Sequence, residues 1–210
     1  MAFKVAILGA ECTGKTTLAQ ALADQLQSQP NGAQWLPEAL RTWCALHQRT
    51  PQAHEQLDIA QAQLQAVRHA APTGFLLADT SPLLTAIYSD LLFQDNSLYP
   101  MALEHQKIYD LTLVTGLDIA WVPDGLQRDG LQAREAFDSR LREVLQQHAL
   151  PYAVVYGQGP ERTACALQRI THLAEVAQAP PKSTASAWRW PCEKCSNPEC
   201  EHQLFSRLLN

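Results

Sequence analysis

The chain has 210 residues, of which 46% are hydrophobic and 18% charged, and its formal net charge is −5. Length and apolar content together allow a sizeable core, which excludes disorder as the general state of the chain. The acidic balance and the lack of a Lys/Arg run argue against a nucleic-acid or anionic-membrane surface, and no apolar stretch reaches the ~18–20 residues that span a bilayer.

Phe3 to Leu8 is a short apolar run of β-formers and reads as a buried strand. A glycine-rich turn follows. Thr16 to Gln27 carries Leu18, Leu22 and Leu26 at helical spacing. Residues 34–37 form a weaker strand pattern, and 38–47 a helix with Leu40, Trp43, Cys44 and Leu46 on its apolar side. A long helix over 55–70 is closed by Pro72 and Gly74. Residues 75–78 form a strand that ends on Asp79. Helices are expected over 82–93, with Pro82 in the first turn, and over 98–107. A strand at 111–115, an amphipathic helix at 133–148, a strand at 152–156 and a helix at 160–177 complete the series. Short apolar strands alternating with helices predict an α/β fold: a parallel sheet of about five strands covered on both faces. Residues 177–187 (AQAPPKSTASA) read as a linker. The expected organisation is therefore one domain over 1–179, with a linker and Cys-rich tail over 180–210. The N-terminal run leads into a motif rather than a cleavage site, so a cytoplasmic protein is expected.

Gly9-Ala-Glu-Cys-Thr-Gly14-Lys15-Thr16 fits the P-loop pattern Gly-x4-Gly-Lys-Thr. The glycines let the backbone curl until successive N–H groups face phosphate oxygens, and the following helix adds the positive end of its dipole. Gly9, Glu11, Cys12, Thr13, Gly14, Lys15, Thr16 and Thr17 are thus expected to hold a nucleoside triphosphate, Mg-ATP above all. Lys15 would reach the β- and γ-phosphates, and the Thr16 hydroxyl would ligate Mg²⁺.

Two carboxylates follow strands. Asp79 can hold the Mg²⁺ shell or the attacking hydroxyl, or act as a cap of the helix after it. Glu38 can take the proton of a substrate hydroxyl, or sit at a helix start because the dipole favours it there. Arg41 lies one helical turn on, within reach of substrate or phosphates. Residues 121–134 are polar and glycine-containing. Arg128 and Arg134 in that stretch are either lid arginines that close over a transferred phosphoryl group or surface arginines of a solvated loop. The turn Gly157-Gln-Gly159-Pro-Glu-Arg162 is placed to border an adenine ring.

The runs GAECTGKTTL, PEALR, IAQAQLQ, LLADTSPLLTAIYSD, YDLTLVTGLDIAWVPDGLQR and REAFDSRLREVLQQHALPYAVVYG together resemble the ribosylnicotinamide kinase domain of the bacterial NadR-type proteins. The resemblance covers about residues 3–175. It implies a P-loop kinase fold and ATP-dependent phosphorylation of a nucleoside 5′-hydroxyl, with nicotinamide riboside as the acceptor. It also implies ATP and Mg²⁺ at Lys15 and Thr16, Glu38 and Asp79 as base and metal-shell carboxylates, and Arg128 and Arg134 as lid arginines. Trp43, Tyr88 and Trp121 are candidates to stack on the acceptor ring, or else core aromatics, and Asp124 would line its site. Two positions depart from the family pattern: Ser81 stands where a second acid is usual, and Gln127 where an arginine is usual. The competing expectation is a P-loop ATPase or nucleotide-dependent switch whose tail binds a partner.

In that tail, Cys192, Cys195, Cys200 and His202 offer four soft ligands within eleven residues, a set that suits one structural Zn²⁺ or remains as reduced thiols. The expected partners are ATP and a small nucleoside-like substrate, with neither nucleic acid nor membrane. A homodimer is the open possibility for assembly.

Overall fold

Five strands, β1 (Phe3–Leu8), β2 (Ala33–Leu36), β3 (Phe75–Asp79), β4 (Leu111–Thr115) and β5 (Ala153–Val155), form one sheet in the order β2-β3-β1-β4-β5. All four pairings are parallel. The computed structural model of the chain describes residues 2–29, 31–120 and 130–178. The helices are α1 (Lys15–Leu26), α2 (Ala39–His47), α3 (Gln56–His69), α4 (Pro82–Phe93), α5 (Tyr99–Gln106), α6 (Leu131–Gln147) and α7 (Gly159–Gln178). Each expected element is present within two or three residues of its expected bounds. The addition is a single 3-10 turn at Ala53–Glu55.

Strand alternation sorts the core into two layers. Ala6 and Leu8 of β1, Leu76 and Ala78 of β3, and Val114 of β4 face helices α3, α4, α5 and α6. Val5 and Ile7, Leu77, and Leu111 and Leu113 face α1 and α7. A sheet covered on both sides needs strands that are apolar on both sides, and FKVAIL supplies that.

Residues 1–174 form one compact unit and residues 175–210 a second, of which the described part is the end of α7. The expected Cys-rich tail and its metal site lie outside the described residues. Among the described residues no group of His, Cys, Asp or Glu could hold a metal by itself, and no helix is long and apolar enough to cross a membrane.

The register positions the site. Ile7 pairs with Asp79 and Leu8 with Val114, so the last residues of β3 and β4 flank the exit of β1 into Gly9. This is the carboxyl edge of the sheet, where parallel α/β folds collect ligands.

Candidate active site

The P-loop is bonded to itself and braced by β4. The Thr13 hydroxyl donates to the Ala10 carbonyl at 2.7 Å, and Lys15 Nζ donates to the same oxygen at 2.8 Å. The Thr115 hydroxyl, at the end of β4, donates to the Thr13 Oγ1 at 2.6 Å and approaches the Leu8 carbonyl at 3.1 Å. Gly9 has φ +146°, and a Cβ there would collide with Thr115 Oγ1, so the brace itself demands glycine. Gly14 has φ +73° and caps α1 without a side chain. The first-turn N–H groups of α1 have no intrahelical acceptor and remain for an anion.

Three charged groups meet beside this loop. Lys15 is buried; burial pulls its pKa below the ordinary 10.5, and the charges of Glu38 and Asp79 pull it partly back. Asp79 is buried, and its Oδ2 accepts the Thr16 hydroxyl at 2.6 Å. Its other oxygen, Oδ1, is buried without a partner. Burial raises the Asp79 pKa, while the Thr16 hydrogen bond and Lys15 oppose the rise. Glu38 is likewise raised, first by burial and then by Asp79, against the pull of Lys15 and Arg41. Its Oε2 lies 3.6 Å from Arg41 Nε. Carboxylates whose pKa is raised by desolvation beside a lysine occur at functional sites and in structural ion-pair networks alike.

Local sequence explains each placement. Glu38 is the N-cap of α2 but makes no side-chain cap bond. The first N–H of the helix, that of Ala39, donates to Gln63 Oε1 of α3 at 2.7 Å, and the Glu38 carboxylate pairs with Arg41 one turn on. Asp79 closes β3, and Thr80 after it has φ +79°, an outlier for a β-branched residue. Thr80 N–H donates to the Ile7 carbonyl at 3.1 Å, which holds that conformation. Ser81 does cap α4, accepting from Leu83 N–H at 3.3 Å. Its hydroxyl donates to Gln106 Oε1 at 2.6 Å, and Gln106 Nε2 donates to Thr112 Oγ1 at 2.9 Å. The position that carries an acid in the resembling family therefore belongs here to a buried neutral chain.

A cavity of about 730 Å³ runs along the loop. Its walls are residues 12–18, the segment Ile119–Ala120, and the turn from Gln158 to Thr163; Arg41 reaches its rim. A second, smaller hollow of about 300 Å³ lies between α4 and α6, lined by Glu11, Tyr88 and Phe137 among others.

The sequence pattern of a P-loop AAA-domain family matches residues 4–162. The chain belongs to this AAA-domain family. No curated protein sequence matches it. Among solved structures, a NadR protein in complex with NR is similar at TM-score 0.67 and 20% identity, covering 83% of this chain and 52% of that one. A NadR protein in complex with NAD and AMP-PNP is similar at TM-score 0.63 and 20% identity, covering 82% and 49%. The chain thus spans about half the length of these relatives. A deoxyadenosine kinase from M. mycoides, with products dCMP and a flexible dCDP bound, is similar at TM-score 0.58 and 14% identity, covering 81% of this chain and 100% of that one. The fold of this AAA-domain protein is that of P-loop nucleoside kinases.

Within that fold the expected site residues separate into groups. Cys12, Thr13, Gly14, Lys15, Thr16 and Thr17 line the cavity, with Arg41 and Arg162. Trp121, Asp124 and Arg128 lie outside the described residues. Arg134 does not stand free as a lid arginine. It is 2% exposed and donates to the Ile119 carbonyl at 2.8 Å. The reason is periodicity: with Phe137, Asp138, Leu141, Val144 and Leu145 it forms the buried stripe of α6. Trp43 lines neither cavity; its ring stacks on His47 at 4.0 Å, with the Arg49 guanidinium 4.7 Å from the ring centroid. Tyr88 packs on Phe137 with centroids 4.3 Å apart, in the smaller hollow. Glu11 lines that hollow rather than the phosphate cavity.

Sequence reasoning missed Thr115, Asp118 and Gln63. The first two were signalled by the strand-end rule, since LVTGLD carries them off the carboxyl end of β4. Gln63 carries no local signal, because its partner lies 24 residues away in sequence.

Proposed function

We propose that the protein transfers the γ-phosphoryl group of Mg-ATP to the 5′-hydroxyl of a nucleoside, with nicotinamide riboside the first acceptor to test. The observation that carries this reading is the bond of Asp79 Oδ2 to the P-loop hydroxyl of Thr16 at 2.6 Å, next to Lys15 in a cavity that Arg41, the partner of Glu38, also lines. Support comes from the ligands of proteins with the same fold: NR in one, AMP-PNP with NAD in another, and dCMP and dCDP in a third. Residues 1–179 are the catalytic domain in this reading, and 180–210 a separate tail.

The P-loop and the first turn of α1 hold the phosphates. Mg²⁺ fits at Thr16 and Asp79, because a hydroxyl and a buried carboxylate oxygen without a partner stand together there; when bound it neutralises phosphate charge. Glu38 accepts the proton of the acceptor hydroxyl as its oxygen bonds to the γ-phosphorus. The bond from that phosphorus to the β-γ bridging oxygen breaks, and ADP leaves. Lys15 neutralises the phosphoryl oxygens during transfer, and Arg41 reaches the same cavity from α2. Positioning and charge neutralisation do most of the catalytic work in phosphoryl transfer.

The experiment is a panel of nucleosides with Mg-ATP, reading ADP and nucleoside monophosphate together. One-to-one formation of both products is expected, with the highest kcat/KM for nicotinamide riboside. ATP binding without any phosphorylated nucleoside would sink the kinase reading. A second reading, hydrolysis of ATP to drive a switch, is favoured by the AAA-domain match; inorganic phosphate released without an acceptor would select it.

A further inference from the structure

Arg162 stands in the first turn of α7 and is 3% exposed. A guanidinium withdrawn that far from water needs compensating acceptors. Main-chain oxygens provide them for both terminal nitrogens, while Nε is buried without a partner. Nη1 donates to the Thr13 carbonyl at 2.6 Å, and Nη2 to the Val155 carbonyl at 3.2 Å. The Val155 oxygen also accepts Gly116 N–H at 2.9 Å. Asp118 completes the junction: Oδ2 accepts Gly157 N–H at 2.6 Å, and Oδ1 lies 4.0 Å from Arg162 Nη2. Three segments far apart in sequence therefore meet at one side chain: the P-loop, the turn after β4 and the turn after β5. The same three segments wall the 730 Å³ cavity.

The bond to Thr13 has a geometric consequence. A trans peptide is planar, with its C=O and N–H pointing in opposite directions. Drawing the Thr13 oxygen onto Arg162 fixes the direction of the Gly14 N–H, which is one of the groups a P-loop turns toward phosphate. The approach is close: a Cβ on Gly14 would lie 3.4 Å from Arg162 Nη1 and 3.2 Å from Ile119 Cδ1. The sequence reading placed Arg162 among the residues that touch ATP. It does line the cavity, and its bonds tie it to the loop as well.

We infer that Arg162, steadied by Asp118, is a positioning residue for the triphosphate: it presets the Thr13–Gly14 peptide of the cradle and does not read the base. This rests on the reading of the P-loop as a triphosphate site, and only on that part of the proposed function. A charge-assisted bond of this kind, lost from a preorganised anion site, weakens binding about tenfold.

The test compares calorimetric binding of Mg-ATP, Mg-tripolyphosphate and adenosine to wild type, Arg162→Lys, Arg162→Met and Asp118→Asn, with each fold checked by circular dichroism. Both Arg162 variants should lose about tenfold toward ATP and toward tripolyphosphate alike, with adenosine binding unchanged. Asp118→Asn should show the same pattern with a loss of about threefold. Loss of adenosine binding with tripolyphosphate binding intact would assign Arg162 to the base and overturn the inference. Wild-type binding by Arg162→Lys would also overturn it, since lysine keeps the charge but lacks the planar fork that spans these two carbonyls. If Arg162→Met fails to fold, Arg162→Lys and Asp118→Asn decide. Wild-type protein that binds neither ATP nor tripolyphosphate defeats the triphosphate reading itself; variants that bind as tightly as wild type defeat the brace alone.

Discussion

The two sides of the cavity mouth are built by different means. On the P-loop side, the lysine and the Thr13 hydroxyl are both tied to one carbonyl, three to five residues away along the same loop. On the α2 side, Glu38 stands at a helix start that Gln63 holds from another helix. Arg41 beside it keeps 62% of its side chain exposed. The phosphate-binding side is thus curled within one short segment and braced from β4 and α7, and the side proposed to accept the proton depends on a helix start held by another helix. Substitutions on the first side should damage nucleotide binding and turnover together. On the second they should damage turnover alone.

The sharpest test of that contrast pairs Glu38→Gln with Lys15→Met. Glu38→Gln should lower kcat by about 10²–10⁴-fold, the range for a lost general base, and leave the ATP dissociation constant where it was. Lys15→Met should lower kcat by about 10²–10³-fold and weaken ATP binding as well. Calorimetry with steady-state kinetics separates the two patterns; a Glu38→Gln variant with weakened ATP binding would erase the distinction.

A smaller effect is expected at Gln63. Gln63→Leu removes the acceptor for Ala39 N–H and should cost about 10-fold to 10²-fold in kcat through misplacement of Glu38, with ATP affinity unchanged. Gln63→Glu keeps an acceptor oxygen in place and should recover most of the loss. Equal damage in both variants would show that the oxygen is not what matters.

The smallest effect is in stability. Burial raises the Glu38 pKa above the ordinary 4.5, so between that value and the raised one the folded state holds a proton the unfolded state has released. Stability of the wild type therefore falls as pH rises through the window. Glu38→Gln lacks that titration. Its Tm should exceed that of wild type at neutral pH, and the difference should close as pH falls toward 4.5. A difference independent of pH would mean that Glu38 is not buried at this cost.

The contrast also governs what could be read in advance. FKVAIL, LLAD and LTLVT are apolar on both faces and bounded by turn residues, so the five strands and the α/β class were visible. GAECTGKT encodes its own geometry, so Lys15 and Thr16 were visible with it. Asp79 and Glu38 stood out as candidates because they follow strands. The burial of Arg134 is legible only in its spacing, which matches the buried stripe of α6. The direction of Trp43 was not legible, because aromatic character says nothing of direction; its ring packs on His47 and Arg49. The Arg162 junction was invisible for a different reason: its acceptors are carbonyl oxygens, which every residue has and no sequence reveals.

Thr80 sits with φ +79°, held by one N–H bond to the Ile7 carbonyl. A β-branched residue in that conformation stores about 1–3 kcal/mol of strain, and the adjoining residue is Asp79. Its last bond across to β1 is therefore both a rung of the sheet and the retainer of a loaded turn. Warming that loosens the end of the β1–β3 ladder would let this peptide relax first and swing the carboxylate off target, while the two core layers remain intact. Heat should silence such a protein before it melts it.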